Sequence, residues 1–243
     1  SSHMKILLSN DDGYFASGIQ ALIKELEKKH DVYVAAPAVN HSAGSSALSV
    51  RRNIKVDNIQ KNHYVIDGTP ADSVHIALSC LIKDKVDMVV AGINLGANLG
   101  DDVIYSGTVA AALEGRHLEM SPIAISLVSH KIITLAEAAK ISADLVERII
   151  FKKDISQGTL LNINIPDCYQ KNSKIEYTKL GTRDTPIPAQ KVNDDSYKIG
   201  AAGPPKDNSP GTDFFAIRES NISISPILYD LTDFSTLKKI NRI

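Results

Sequence analysis

Two carboxylates stand side by side at Asp11-Asp12, behind an apolar run that closes on Ser9-Asn10 and in front of Gly13. Adjacent carboxylates repel each other unless a cation or a proton intervenes. The same pair also reads as a solvated turn in which an Asp caps the next helix. Two further loops tilt the balance. Residues 37–46 and 92–102 are polar and glycine-bearing, and each follows an apolar run. Carboxylate, hydroxyl and amide oxygens gathered together suit a hard cation such as Mg2+ or Mn2+, not zinc. Tyr105-Ser106-Gly107-Thr108 precedes an alanine-rich stretch. A helix start with free N–H groups and hydroxyls suits an anion, although Ser or Thr also serves as a plain N-cap.

Several motifs are absent. Gly92, Gly96 and Gly100 are four apart, so the dinucleotide fingerprint is missing. There is no Walker lysine and no nucleophile elbow. Gly13 stands where phosphatases with an aspartyl nucleophile carry a second Asp. His75 and His117 fall in expected helices and read as structural. His41 differs in sitting beside Ser42 in a site loop, where a water-facing imidazole titrates near neutrality.

The elements that position these loops follow from hydrophobic period. Residues 5–10 and 31–36 are apolar runs, and 17–29 carry Ile19, Leu22, Ile23 and Leu26 at helical spacing. Strand, loop, helix, strand opens a parallel α/β sheet. An alternating ribbon over 47–66, a helix over 70–82 and a strand over 86–91 follow. Next come a helix over 108–118, a strand over 123–127, a helix over 134–151 and a strand over 160–165. That last strand carries alternating asparagines. The expected fold is a Rossmann-like, doubly wound, mostly parallel α/β sheet, with ligands taken beyond the carboxyl ends of the strands.

Residues 1–3 read as an expression-tag remnant, so that the native chain starts at Met4. Residues 4–166 form the α/β core. Residues 167–243, rich in Pro, Gly, Asp and Asn, form an irregular β-rich extension expected to serve oligomerisation. The stretch 222–228 has strand character but no evident neighbour in such a sheet, and an unpaired edge invites exchange with a second copy.

The 243 residues are 43% hydrophobic and 23% charged, with net charge −1. No basic block points to a nucleic-acid polymer, and no apolar run or leader points to a membrane. Cys80 and Cys168 lie far apart with no metal-ligand spacing, which fits reduced thiols in the cytoplasm.

Leu8 to Tyr14, Gly68 to Asp72, and the long block from Gly92 through Ala112 together resemble the SurE family, the stationary-phase survival proteins that act as 5′/3′-nucleotidases. Gly211-Thr212-Asp213-Phe214 and Ile224 to Ile227 resemble its C-terminal signatures. The resemblance implies one divalent ion per subunit, Mg2+ or Mn2+, held by Asp11, Asp12, Ser42 and Asn94. It also implies a homodimer or homotetramer, with nucleoside monophosphates and short polyphosphate as substrates. This chain departs from the pattern at His41, where Arg is common, and at Ala43, Ser17 and Ser220-Asn221. The expected chemistry is metal-assisted hydrolysis with Asp11 and Asp12 as catalytic groups. Asn98, Ser106, Gly107 and Thr108 would hold the phosphate oxygens. Water or an Asp carboxylate is the nucleophile. The rival readings are a non-catalytic nucleotide sensor on the same crevice and a dinucleotide-dependent oxidoreductase. Adjacent Asp11-Asp12 without the glycine fingerprint disfavours the second.

Overall fold

Ile6, Leu7 and Leu8 of the first strand are all fully buried, which requires cover on both faces of the sheet. The structure, a computed structural model, describes residues 3–40 and 47–240 and supplies that cover. The order is β1 (Lys5–Ser9), α1 (Ser17–Leu26), β2 (Asp31–Pro37), β3 (Val56–Gln60), β4 (His63–Ile66), α2 (Pro70–Ile76) and β5 (Met88–Leu95). Then come α3 (Gly107–Leu113), β6 (Ile123–Leu127), α4 (Leu135–Phe151) and β7 (Leu160–Ile165). The extension adds β8 (Ile175–Tyr177), β9 (Thr182–Arg183), β10 (Gln190–Asn193), β11 (Ser196–Lys198) and β12 (Pro205–Asp207). It ends with α5 (Asp213–Arg218), β13 (Ile222–Ile227) and α6 (Phe234–Ile240).

One nine-stranded sheet runs in the order β3-β4-β2-β1-β5-β6-β7-β13-β8. β4, β2, β1, β5, β6 and β7 are mutually parallel, whereas β3 runs against β4 and β13 against β7. Successive residues of β1 serve opposite cores. Ile6 and Leu8 join Ile19, Leu22 and Leu26 of α1 and Leu145 and Val146 of α4 on one face. Leu7 joins Val74 of α2 and Val109, Ala111 and Ala112 of α3 on the other. Capping boxes start two of these helices, Thr69 with Asp72 at α2 and Thr134 with Glu137 at α4.

Some elements differ from the sequence reading. The ribbon expected over 47–66 shrinks to the β3-β4 hairpin. The strand expected to stop at residue 91 runs on to Leu95, and α3 ends at Leu113. The largest difference lies in the extension. β13 is not an unpaired edge: it lies inside the sheet, antiparallel to β7 from Ser223↔Asn164 to Ile227↔Leu160, and parallel to β8. Residue 166 therefore ends β7 but not the sheet. The alternation of Ile222, Ser223, Ile224 and Ser225 resembles a half-solvated strand, yet the two serines are also buried. They are satisfied by the Thr178 hydroxyl, at 2.7 and 2.6 Å. Beyond the main sheet, β9 pairs with β12, and β10 with β11 forms an exposed hairpin. No helix among the described residues is long and apolar enough to cross a membrane.

These placements separate two truncations. Cutting after Ile199 removes β13, and buried Ile222 and Ile224 each contribute about 1.5–3 kcal/mol, against a total stability of about 5–15 kcal/mol. That form should lose its cooperative melting transition. Cutting after Asp230 removes α6, which buries nothing within its own chain, and leaves the sheet whole, so a cooperative transition should remain. Melting followed by circular dichroism checks both.

Candidate active site

β1 leads away to β2 on one side of the sheet, and β5 to β6 on the other, although β1 and β5 are direct neighbours. Chains leaving adjacent strand ends in opposite directions open a crevice there, the usual ligand position of such sheets. Asp11 and Asp12 follow β1, and Asn94 lies near the end of β5.

The Asp11-Asp12 turn is closed from inside by a residue that sequence reasoning passed over. Buried Asn10 donates from Nδ2 to the Gly13 carbonyl at 2.7 Å and accepts the Gly13 N–H at 3.1 Å. Tyr14 continues the clamp. Its N–H donates to Pro37 O at 2.8 Å, and its hydroxyl meets His63 Nδ1 at 2.8 Å. Both carboxylates are thereby set at the mouth of the crevice. Asp11 is buried and packed against the start of α3. Asp12 is half-buried, with Oδ2 3.5 Å from the Leu95 N–H.

Asn94 is aimed by an irregularity in the ladder. Ala91 pairs with Ala124 and Asn94 with Ser126, so three steps along β5 match two along β6. Such bulges re-aim side chains beside functional sites. Gly92 makes this one possible: its φ is +149°, and a Cβ there would lie 2.6 Å from Ile125 O. Asn94 Nδ2 then donates to Gly96 O at 3.0 Å, which orients the amide and leaves Oδ1 as its acceptor atom.

Asn98 is held from β7. Its N–H donates to Asn164 Oδ1 at 2.9 Å, and its carbonyl accepts from Asn162 and Asn164, both at 2.9 Å. Its own amide donates to Ser126 Oγ at 2.7 Å. Two fully buried asparagines spaced by two in a strand were the visible signal, because buried amides need partners. Asp213, also fully buried, accepts from the N–H groups of Gly100, Gly181 and Phe214 at 2.8, 2.8 and 2.9 Å. Arg183 completes the wall. Its Nε lies 3.1 Å from Asp102 Oδ1, a contact ion pair rather than an aligned hydrogen bond. Its Nη1 donates to Gly203 O at 3.1 Å, and its guanidinium covers the Phe214 ring at 4.9 Å. Nothing in the local sequence marks Arg183.

Asp11, Asn94, Asn98, Ser106, Gly107 and Arg183 share one cleft of about 360 Å³. Ser106 is the N-cap of α3, accepting from Val109 N–H at 3.2 Å. Thr108 does not belong with them. It is fully buried and lines no part of this cleft, because the first turn of α3 points its side chain inward. Its side chain is thus turned away from the cleft in this structure, while Gly107 beside it lines the cleft. Ser42 and His41 lie outside the described residues.

Among the described residues, no three His, Cys, Asp or Glu side chains gather as a metal cluster. The donors brought together are instead two carboxylates and one amide oxygen. That hard, oxygen-only set fits Mg2+ or Mn2+. The packing also leaves room for nothing larger than glycine beside Asp11: a Cβ at residue 107 would fall 2.5 Å from Asp11 Oδ1.

The resemblance seen in the sequence extends beyond the site to the whole chain. Asp72, of the Gly68 to Asp72 block, anchors the end of the second loop. It accepts Ser49 N–H and Oγ–H, both at 2.8 Å, and Thr69 N–H at 2.9 Å. A family model described as Survival protein SurE matches residues 6–186. The chain is 42% identical over 242 residues to 5′-nucleotidase SurE of Coxiella burnetii (strain Dugway 5J108-111), covering 98% of this chain and 93% of that protein. It is 44% identical to 5′-nucleotidase SurE of Actinobacillus succinogenes, covering 98% and 97%. The crystal structure of the Sure protein from Aquifex aeolicus superposes with a TM-score of 0.86 at 36% identity, covering 98% of each chain. A mostly parallel sheet with an oxygen-rich cleft at its switch point defines a Rossmann-like α/β protein, and its relatives named 5′-nucleotidase SurE make it a phosphoric monoester hydrolase. Within that class the chain belongs to the SurE family.

Two substitutions test this geometry. Gly107→Ala should displace the Asp11 carboxylate and weaken Mn2+ binding by about tenfold or more, with Tm within about 3 °C of the parent. Electron paramagnetic resonance of Mn2+ measures the first, and calorimetry the second. Asp72 is one pH-sensitive group. Burial alone pushes its carboxyl up, but the hydrogen bonds from Ser49 and Thr69 outweigh this and hold it below the ordinary 3.8. Its stabilisation is therefore fully present above that value and is lost as pH falls through the lower, folded-state pKa. Asp72→Asn should cost about 1–3 kcal/mol near neutrality and flatten the acid limb of stability. Urea unfolding between about pH 3 and pH 7 reads both effects.

Proposed function

We propose that this chain is a divalent-metal-dependent nucleotidase that hydrolyses nucleoside monophosphates to nucleoside and phosphate, and that also accepts short polyphosphate. One observation carries the reading: Asp11, Asn94, Asn98 and the start of α3 open on a single cleft, in a chain whose relatives are named 5′-nucleotidase SurE. Asp11, Asp12, Asn94 and Ser42 would hold one Mg2+ or Mn2+ per subunit. Such an ion, when bound, polarises a phosphoryl oxygen and lowers the pKa of a water.

The remaining work falls to the chain's own groups. The Ser106 hydroxyl accepts from Val109 and keeps its proton to donate to a phosphate oxygen. Gly107 and Asn98 line the same cleft, and the Gly107 N–H and the second amide hydrogen of Asn98 would donate to phosphate oxygens there. Together they stabilise the charge that spreads over the equatorial oxygens in the transition state. A carboxylate of Asp11 or Asp12 orients the attacking water. The water's oxygen bonds to phosphorus as the ester P–O bond breaks; the carboxylate accepts the water's proton, which passes on to the leaving nucleoside oxygen. Arg183 adds positive charge at the cleft wall.

We assign the chain a homodimeric or homotetrameric state and a cytoplasmic location. Phe234, Leu237 and Ile240 of α6, with Leu231 before it, all face solvent, and a second copy would cover them. Cys80 and Cys168 are free thiols, as suits a reducing compartment.

Phosphate release from each nucleoside monophosphate and from triphosphate chains, after chelation and after return of Mg2+ or Mn2+, tests the function. Chelation should abolish turnover and the metal restore it. Asp11→Asn and Asp12→Asn should each lower kcat by about 10³-fold or more with an unchanged melting curve. Near-normal turnover in either variant would remove the metal assignment.

A further inference from the structure

Tyr14 stands two residues beyond Asp12, and every polar group it owns is engaged. Its N–H donates to Pro37 O at 2.8 Å, and its carbonyl accepts from Gln20 Nε2 at 2.6 Å. Its hydroxyl meets His63 Nδ1 at 2.8 Å. The Phe15 ring closes edge-on against the phenol, with centroids 4.9 Å apart. The first two contacts hold the backbone. The third reaches 49 positions along the chain, to the β3-β4 hairpin at the margin of the sheet.

His63 suits that hydroxyl. Burial pushes its imidazole below the ordinary 6.5, against an opposing pull from Glu27, so the ring is neutral near pH 7. A neutral imidazole has one N–H and one bare nitrogen. Two donors converge on Nδ1: the Tyr14 hydroxyl and, at 3.2 Å, the Gln60 amide nitrogen. Nδ1 is therefore the bare nitrogen, and Tyr14 donates to it. Tyr14 is itself buried, so a hydroxyl that left Nδ1 would lose its partner without meeting water.

Tyr14 bears on the carboxylates through Gly13. Gly13 has φ +109°, a conformation that glycine permits but does not select. The selection comes from its two neighbours. Asn10 holds the Gly13 N–H and carbonyl from one side, and the pinned phenol holds the exit of the turn on the other. Resting on the metal reading above, we propose that His63 is a positioning residue for the metal site. It acts through the Tyr14 hydroxyl to hold the Asp11-Asp12 turn in the arrangement that takes a divalent ion. Neither His63 nor any other residue of the β3-β4 hairpin lines the cleft, so the hairpin tunes the site from outside it.

Hydrogen exchange on the metal-free full chain reads the turn directly. The Gly13 and Tyr14 N–H groups are both bonded and should be protected. Tyr14→Phe and His63→Leu should each speed exchange over residues 10–14 by about three- to tenfold, the loss of one hydrogen bond. Mn2+ titration followed by electron paramagnetic resonance should show Kd raised by about the same factor of three to ten in each. The two substitutions combined should do no more than either alone, because one contact is not lost twice. His63→Asn should restore both quantities: its amide oxygen falls about where Nδ1 stands and still accepts, whereas a role in packing alone would not be met by the smaller side chain. Tyr33→Phe removes a buried tyrosine's bond to Asp84 outside the cleft; it is the matched control and should change neither quantity. Unchanged exchange in Tyr14→Phe would overturn the proposal, and so would faster exchange with an unchanged Kd. Additive effects of Tyr14→Phe and His63→Leu would also overturn it, since His63 would then not act through Tyr14. A parent chain that binds no Mn2+ would remove the metal reading instead, while faster exchange in the variants would still assign His63 to the turn.

Discussion

A loop that folds back over the end of a sheet takes its N–H and C=O groups out of water, and each must find a new partner. The segment from Gly96 to Gly100, which follows β5, is such a loop. Asn162 and Asn164 of β7 reach beneath it and bind both polar groups of the Asn98 backbone. Asp213 binds the Gly100 N–H from the other side. Each buried donor or acceptor left alone here costs about 1–3 kcal/mol. The shape of the cleft therefore follows from satisfying a handful of backbone atoms, and the side chains that line it ride on that solution.

The constraint joins the extension to the core. Asp213 and Arg183 both belong to the extension, and they act differently. Asp213 is fully buried and accepts three backbone N–H groups, so its loss would leave three donors unsatisfied. The Arg183–Asp102 pair is partly exposed, with side chains 23% and 35% accessible, and such pairs contribute about 0–1 kcal/mol. Arg183 thus matters for shape, through Phe214, Gly203 and Asp102, more than for stability. Arg183 lines the cleft, and Asp213 ties its neighbour Gly181 to Gly100, so the C-terminal extension packs directly against the cleft.

Much of this was legible in the chain itself. The parallel core follows from continuous apolar runs and one helical period, and the loops that bear Asp11, Asp12, Asn94 and Asn98 fall at strand ends for that reason. Other features were hidden because their cause lies far away in sequence. Thr108 reads as a hydroxyl at a helix start, yet the direction of the first turn buries it. Asn10 reads as one more polar turn residue, although its side chain closes the turn. β13 reads as an orphan strand because its two neighbours, β7 and β8, are recognised only when the register from Ser223↔Asn164 onward is seen.

The sequence by itself determined the fold class, the family and the kinds of donor at the site. Hydrophobic period, loop chemistry and the long block from Gly92 to Ala112 are local properties, written within a few turns of chain. Only the tertiary structure decided which side chains face the cleft, that Arg183 lines it, and that buried Asp213 braces the loop behind it. Those outcomes rest on hydrogen bonds between residues 64 to 113 positions apart, and nothing in the local order of residues selects such partners.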